Sequence, residues 1–339
     1  LTDCMKLNKY IFRAVIVCGC ALSLASCEDK VDGESIFDTT EDTLDPASPT
    51  YQLDVYLEEA FRKPYNIQFR YKMQDVGTDM DYNLIPAEYS KSVDLAVLTK
   101  YLWFDVYDKV VTSDPNFMKK TSPRIIHLIG SPQVNAANGT ITLGLAEGGL
   151  KVSLFNVNDM DVNSFEALNE YYFHTMHHEF THILHQTKTY PKEFDQLSVG
   201  HYDALGWQNR DSRATASLGF VTPYASSQPR EDFAEVVSNY ITMTDAEWTN
   251  LLKTASEPWE EGDNGSAILG DAANDKIDGK ALIEQKLDIA RTWLRDAWQL
   301  DLDELRAEVQ RRQNSYSIDV LKELRKQVYD IPTGSNGQN

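Results

Sequence analysis

The chain has 339 residues, with 32 basic against 52 acidic side chains and a formal net charge of −20. A surface this acidic repels nucleic acid and anionic lipid headgroups, so neither is expected as a charge-driven partner. The cysteines Cys4, Cys18, Cys20 and Cys27 all lie at the N-terminal end, which excludes a disulfide-stapled domain and leaves His, Asp and Glu to hold any metal.

Residues 1–26 read as a signal peptide. Lys6, Lys9 and Arg13 form a positive n-region, with Met5 read as the initiator. The apolar run from Ile11 to Leu24 is too short and too rich in small residues for a membrane span. It ends in Leu24-Ala25-Ser26-Cys27, which resembles the lipobox of bacterial lipoproteins; the resemblance implies cleavage before Cys27 and a lipid on its sulfur. Removing the leader takes out three basic residues and one acidic residue and moves the net charge to −22. Attachment to a membrane then rests on acyl chains, several of which are needed for stable anchoring. Residues 27–50, with Glu28, Asp29, Asp32, Glu34 and later Pro46 and Pro49, form an acidic tether. Such a stretch resembles the signal that sends Bacteroidetes lipoproteins to the outer cell face, while a plain soluble linker explains it as well.

One folded domain is expected over 51–330, with an N-lobe of about 51–190, a helical C-lobe of about 191–330 and a frayed tail at 331–339. Leu53 to Phe61 is predicted helical and Ile67 to Met73 alternates like a strand. Val93 to Val111 has the period of an amphipathic helix, and Arg124 to Ile129 reads as a buried strand. Gly139 to Leu145 and Leu150 to Phe155 read as paired strands across Glu147-Gly148-Gly149. Asn163 to about Thr187 reads as one long helix, started by an Asn163/Glu166 capping box and stopped before Pro191. Further on, Thr244 with Glu247 makes a second capping box. Residues 255–280 read as an acidic loop, and Ala281 to Tyr329 as two or three helices packed through Trp293, Trp298, Leu302 and Leu305. A small mixed sheet feeding one long helix gives an α+β architecture; with His178-Glu179-Phe180-Thr181-His182 on that helix, the order resembles that of zincins and implies a zincin-like fold.

That long helix carries His178-Glu179-Phe180-Thr181-His182. Histidines four apart project from one helical face and can share a metal ion, and Glu179 beside them is placed to take a proton from an activated water. The HExxH pattern points to zinc-dependent hydrolysis. Phe173, Phe180 and Leu184 form the opposing apolar stripe, so His178, His182 and His185 are expected to line a cleft. Zinc needs a third protein ligand. Glu231 is the leading candidate: it follows Pro229 at a helix start and has Glu235 one turn later, free to bond a ligand histidine. His185, His201 and Glu193 stay open as rivals. His177, His174 and His127 read as structural.

Three segments carry a family resemblance: His178 to Gln186, Gly219-Phe220-Val221-Thr222-Pro223-Tyr224, and Glu231-Asp232-Phe233-Ala234-Glu235. Together with the lipobox they resemble the zinc metallopeptidase lipoproteins of Bacteroidetes associated with substrate import. That resemblance implies an outer-membrane, cell-surface location beside a TonB-dependent transporter and a glycan-binding lipoprotein, with a peptide or protein as substrate. The catalytic pieces are also similar to the lethal factor type of gluzincin. The similarity implies one Zn2+, a zinc glutamate at Glu231, and a transition-state tyrosine seven residues before it, at Tyr224. His185 departs from that pattern. Two other readings stay open: a scaffold lipoprotein with a vestigial zinc site, and hydrolysis of a non-peptide amide.

Overall fold

The computed structural model describes residues 44–333, apart from 74–83, 135–140, 143, 148–149, 263–265 and 271–276. The leader, Cys27 and most of the acidic tether therefore lie outside the described residues, as do Gly148, Gly149 and the end of the tail.

Helix α1 spans 51–65 and contains a π-helical turn, Glu58–Arg62. Strand β1, Gln68–Arg70, follows. Helix α2 spans 89–110, again with a π-helical turn, Lys100–Phe104, and short helix α3 is Phe117–Thr121. Strand β2, Ile125–Leu128, is the apolar run expected there, with Ile126 and Leu128 buried.

Strands β3 and β4 (Gln133–Val134 and Ile141–Thr142) form a separate antiparallel pair. Strands β5 and β6 (Gly144–Glu147 and Lys151–Leu154) complete a four-stranded sheet in the order β1-β2-β6-β5. The first three strands run parallel, and β5 is antiparallel to β6. The strand expected from Gly139 is thus divided between two sheets. Glu147, expected in the turn, pairs with Lys151 as the last residue of β5.

Helix α4 spans 165–187 as Phe165–Leu168, a π-helical turn Asn169–Phe173, and His174–Thr187. Its cap differs from the expected box. Ser164 is the N-cap and accepts from the Ala167 amide at 3.1 Å, while the Asn163 amide donates to Asp161. Met176, Phe180 and Leu184 are buried on its core side. Phe180, inside the HExxH run, meets Trp103 edge-on at 5.6 Å, Tyr107 at 5.0 Å and Phe117 at 6.0 Å. Burying one such ring is worth about 2–3 kcal/mol, so the back of this helix is fixed to α2 and α3 by its own motif residue.

The remaining helices are α5 (Glu193–Leu197), α6 (Ser212–Ser217), α7 (Pro229–Thr242), α8 (Asp245–Ala255), α9 (Gly279–Trp298), α10 (Leu302–Ser315) and α11 (Ile318–Tyr329). The Thr244/Glu247 capping box is present at the start of α8. Between α8 and α9 the expected loop contains a small hairpin, β7 (Trp259–Glu261) with β8 (Ala267–Leu269). The last helix packs back on the first part of the chain: Arg325 donates to Asp94 of α2 at 2.7 Å, and Gln52 of α1 donates to the Tyr329 carbonyl. Among the described residues no helix is long and apolar enough to cross a membrane.

Candidate metal centre

Helices α4 and α7 lie against each other with opposed directions. His182 meets Glu231, His178 meets Glu235, and His174 meets Asn239, so residues ascending one helix match residues descending the other. Glu231 stands in the first turn of α7, where Pro229 fixes the start and the helix dipole favours a carboxylate. Its Oε2 lies 3.1 Å from His178 Nε2 and 3.0 Å from His182 Nε2, and the two Nε2 atoms are 3.0 Å apart.

Three donor atoms thus surround one point. Both imidazoles cannot present lone pairs to a carboxylate unless a cation, a proton or a metal, sits among them. Ligands at roughly 2.0–2.2 Å around a tetrahedral zinc stand about 3.3 Å from one another, close to the spacing seen. Two imidazoles and one carboxylate are a donor set of catalytic zinc sites, which keep the fourth position for water or substrate. The residues fit a single zinc ion.

The other face of each histidine is also engaged. His178 Nδ1 lies 2.8 Å from Glu235 Oε1. Glu235 Oε2 accepts from Thr222 Oγ1 at 2.6 Å and Asn239 Nδ2 at 3.2 Å, and His174 Nε2 stands 3.3 Å from Oε1. A fully bonded carboxylate keeps the His178 proton on Nδ1 and frees Nε2 for the metal. His182 Nδ1 bonds His185 Nε2 at 2.7 Å. His185 sits edge-on to Tyr190 at 5.4 Å and Phe233 at 6.2 Å.

Charge follows this geometry. Burial alone would push His178 down, but Glu231 and Glu235 at its two nitrogens raise it to about 10. Burial likewise opposes ionisation of Glu231, yet His178 and His182 hold it far below the usual carboxylate range. Glu235 is buried and is held well below that range by His174 and His178. Burial pushes His185 down to about 4, with the neighbouring His182 and Arg230 charges adding to it. His185 is therefore a neutral partner for His182.

Glu179 is half-buried next to the donors, and its charge acts on both His178 and Tyr224. Tyr224 opens a 3-10 turn, Tyr224–Ser227, just before α7. Its ring lies 5.9 Å from that of His178 and 4.8 Å from Trp207. Partial burial raises the pKa of its hydroxyl, and the nearby Glu231 charge adds to this. Next to Glu231, Asp232 points the other way. Lys286 of α9 bonds it at 2.7 Å with both side chains fully buried, and Tyr202 donates to it at 2.8 Å. Burial raises Asp232 to about 6 and lowers Lys286, each opposed by its partner. Lys286 also donates to the Gly219 carbonyl at 2.6 Å. The pair therefore ties the first turn of α7 and the Gly219–Tyr224 segment to α9.

Of the sequence candidates, the structure gathers His178, His182, Glu231, Glu235, His185, Glu179 and Tyr224 at one place. The rivals fare differently. Among the described residues, neither His201 nor Glu193 belongs to a group able to hold a metal; Glu193 is exposed on α5, and His201 lies in the following loop. His185 reaches the metal position only through His182. On the histidine face His178 is 6% and His185 5% exposed, where α7 packs against it, while His182 and Glu231 are only partly buried.

His177 is a core residue, as expected, with Nδ1 2.9 Å from the Tyr107 hydroxyl. His174 is more than structural padding: with His178 and Glu235 it forms a second group of metal-capable atoms. That group uses His178 Nδ1, whose proton the first site requires, so the two cannot both be filled while His178 keeps that proton. The spacing His174–His178–His182 was the available signal. Thr222 lies within the Gly219–Tyr224 segment of the resemblance, and Asn239 gave no signal beyond standing four residues after Glu235.

A His-His-Glu donor set on two opposed helices, beside the Glu179 carboxylate and a small mixed sheet, is the pattern of a zinc metallopeptidase of the HExxH class. A family profile described as "Putative zinc-binding metallo-peptidase" matches residues 47–303. The crystal structure of a "putative zinc-binding metallo-peptidase" from Bacteroides caccae is similar, with 41% identity and a TM-score of 0.64 over 80% of this chain and 93% of that one. No curated protein matches the chain significantly. The chain belongs to this zinc-binding metallopeptidase family.

Proposed function

We propose that the protein hydrolyses peptide bonds at the centre formed by His178, His182 and Glu231. The observation carrying this is the convergence of those three donor atoms within 3.1 Å of each other, with Glu179 alongside. When bound, zinc supplies Lewis acidity that polarises a carbonyl and acidifies water. Glu179 takes the proton of the attacking water and returns it to the leaving nitrogen. The Tyr224 hydroxyl, held protonated, donates to the developing oxyanion. Glu235 keeps His178 in the tautomer that faces the metal. A purely structural zinc site has no use for Glu179, which argues against a vestigial scaffold. The test is cleavage of a peptide library by zinc-loaded protein with and without chelator, alongside the Glu179→Gln variant. Equal cleavage in all three would overturn the reading.

For location, the Leu24-Ala25-Ser26-Cys27 run supports a lipid anchor on Cys27 in the outer membrane, with the acidic tether directing the domain to the cell surface. Association with a TonB-dependent importer and its glycan-binding lipoprotein is the matching partner reading, and rests on the family resemblance. Cys27→Ala should move the protein from the membrane to the soluble fraction. Retention of that variant in the membrane would sink the anchor.

A further inference from the structure

The segment between α5 and α6 is short of regular structure but firmly held. The Asp203 amide donates to the Ser226 carbonyl at 2.8 Å, inside the turn that carries Tyr224. Asp203 Oδ1 accepts from the Leu205 and Gly206 amides at 3.2 and 2.8 Å. A Cβ at Gly206 would lie 2.1 Å from Asp203 Oδ2, so a larger residue there would push the Asp203 carboxylate out of this turn. Arg210 closes the segment by donating to the His201 carbonyl at 2.8 Å. The turn is thus fastened to the segment that carries Tyr224.

What it presents is apolar. Leu205 at its tip is 91% exposed and Val199, a few residues earlier, is 63% exposed. Trp207 is half-buried and packs edge-on against Tyr224 at 4.8 Å, and Tyr224 in turn is 5.9 Å from His178. Single exposed apolar side chains are ordinary. Here they share one segment, tied through the Asp203 amide to the turn that carries Tyr224. Large apolar groups thus stand in water on a hydrogen-bonded segment whose Trp207 leads through Tyr224 to His178. An apolar ligand group that covers them gains by removing them from water, and the hydrogen bonds already formed lower the cost of ordering the loop.

We propose that Trp207 and Leu205 form a side-chain subsite on the Tyr224 side of the metal centre. The subsite selects peptides with a bulky apolar residue flanking the scissile bond there. The inference rests on the peptidase reading, and its test separates the two. Zinc-loaded wild type, Trp207→Ala, Trp207→Phe and Leu205→Asn are given matched peptides with Leu or the similarly sized Asn at each position flanking the cleaved bond. The same four proteins are titrated calorimetrically with two peptide hydroxamates that differ only in a Leu or Asn side chain.

Wild type should prefer Leu at one flanking position by about tenfold or more in kcat/KM, and bind the Leu hydroxamate more tightly by a similar factor. Trp207→Ala and Leu205→Asn should shrink both ratios several-fold, and Trp207→Phe should retain them. Cleavage without a Leu/Asn preference, or a preference unchanged in Trp207→Ala and Leu205→Asn, overturns the subsite and leaves the peptidase intact. Hydroxamate discrimination without any cleavage keeps the subsite and removes the peptidase. Equal hydroxamate binding in wild type overturns the subsite whether or not peptides are cut.

Discussion

His178 Nδ1 and Glu235 Oε1 are 2.8 Å apart across the interface of α4 and α7. The contact spans 57 positions of sequence and decides which nitrogen of His178 faces the metal. With Thr222 and Asn239 bonding the other carboxylate oxygen, Glu235 has no freedom to turn away.

Removing that carboxylate charge should therefore weaken metal binding without deleting a ligand. Glu235→Gln is expected to raise the zinc Kd about 10–100-fold in chelator competition. An unchanged Kd would show that the His178 tautomer is fixed by something other than Glu235.

Glu231 is placed to ligate the ion itself, so its loss should be more severe. Glu231→Ala should purify with far less than one zinc per chain. Stripping zinc from wild type with a chelator should abolish hydrolysis and lower the melting temperature, since the metal binds only the folded site. Full zinc occupancy in Glu231→Ala, read by elemental analysis, would point to another third ligand.

Glu179 and Tyr224 divide the chemistry from the binding. Glu179→Gln should keep its zinc and lose at least about 10^3-fold in kcat. Tyr224→Phe should keep its zinc and lose about 10^2–10^3-fold in kcat, with KM changed only a few-fold, because the hydroxyl acts in the transition state. A Tyr224→Phe variant altered in KM alone would mark the tyrosine as a binding group.

His177 gives the fold an acid limit. It is fully buried with Nε2 unbonded among the described residues. Burial, helped by the His174 charge, lowers its pKa to about 3, against 6.5 in the unfolded chain. Between those values the unfolded chain binds the proton that the folded one refuses. Stability from this group is thus complete above pH 6.5 and lost as pH falls toward 3, at about 1.4 kcal/mol per unit. Urea unfolding at pH 7 and pH 4.5 should show a larger drop for wild type than for His177→Gln, by about 2–3 kcal/mol. Equal drops in the two proteins would mean that His177 titrates normally.

Much of the centre was legible in the sequence because helical spacing is a local property. His178 with His182, and Glu231 with Glu235, share faces by their four-residue offset alone. The Thr244/Glu247 box and the apolar run of β2 were readable for the same reason. The π-helical turn Asn169–Phe173 was not, since a period in side chains does not say which carbonyl each amide will choose. Nor was the cap at Ser164 rather than Asn163, two polar residues of nearly equal capping strength side by side.

The sequence by itself determined the candidate donor types, their pairing along each helix and the carboxylate beside the first histidine. It left several acids and histidines as candidates for a third donor. Only the tertiary structure brings Glu231 to both imidazoles, by docking α7 against α4, and leaves His201 and Glu193 elsewhere. It also turned His174 toward Glu235, buried Lys286 on Asp232, and set Trp207 on Tyr224. These outcomes depend on burial and long-range packing, in which segments far apart in the chain must exclude water together, and no spacing within one segment encodes that.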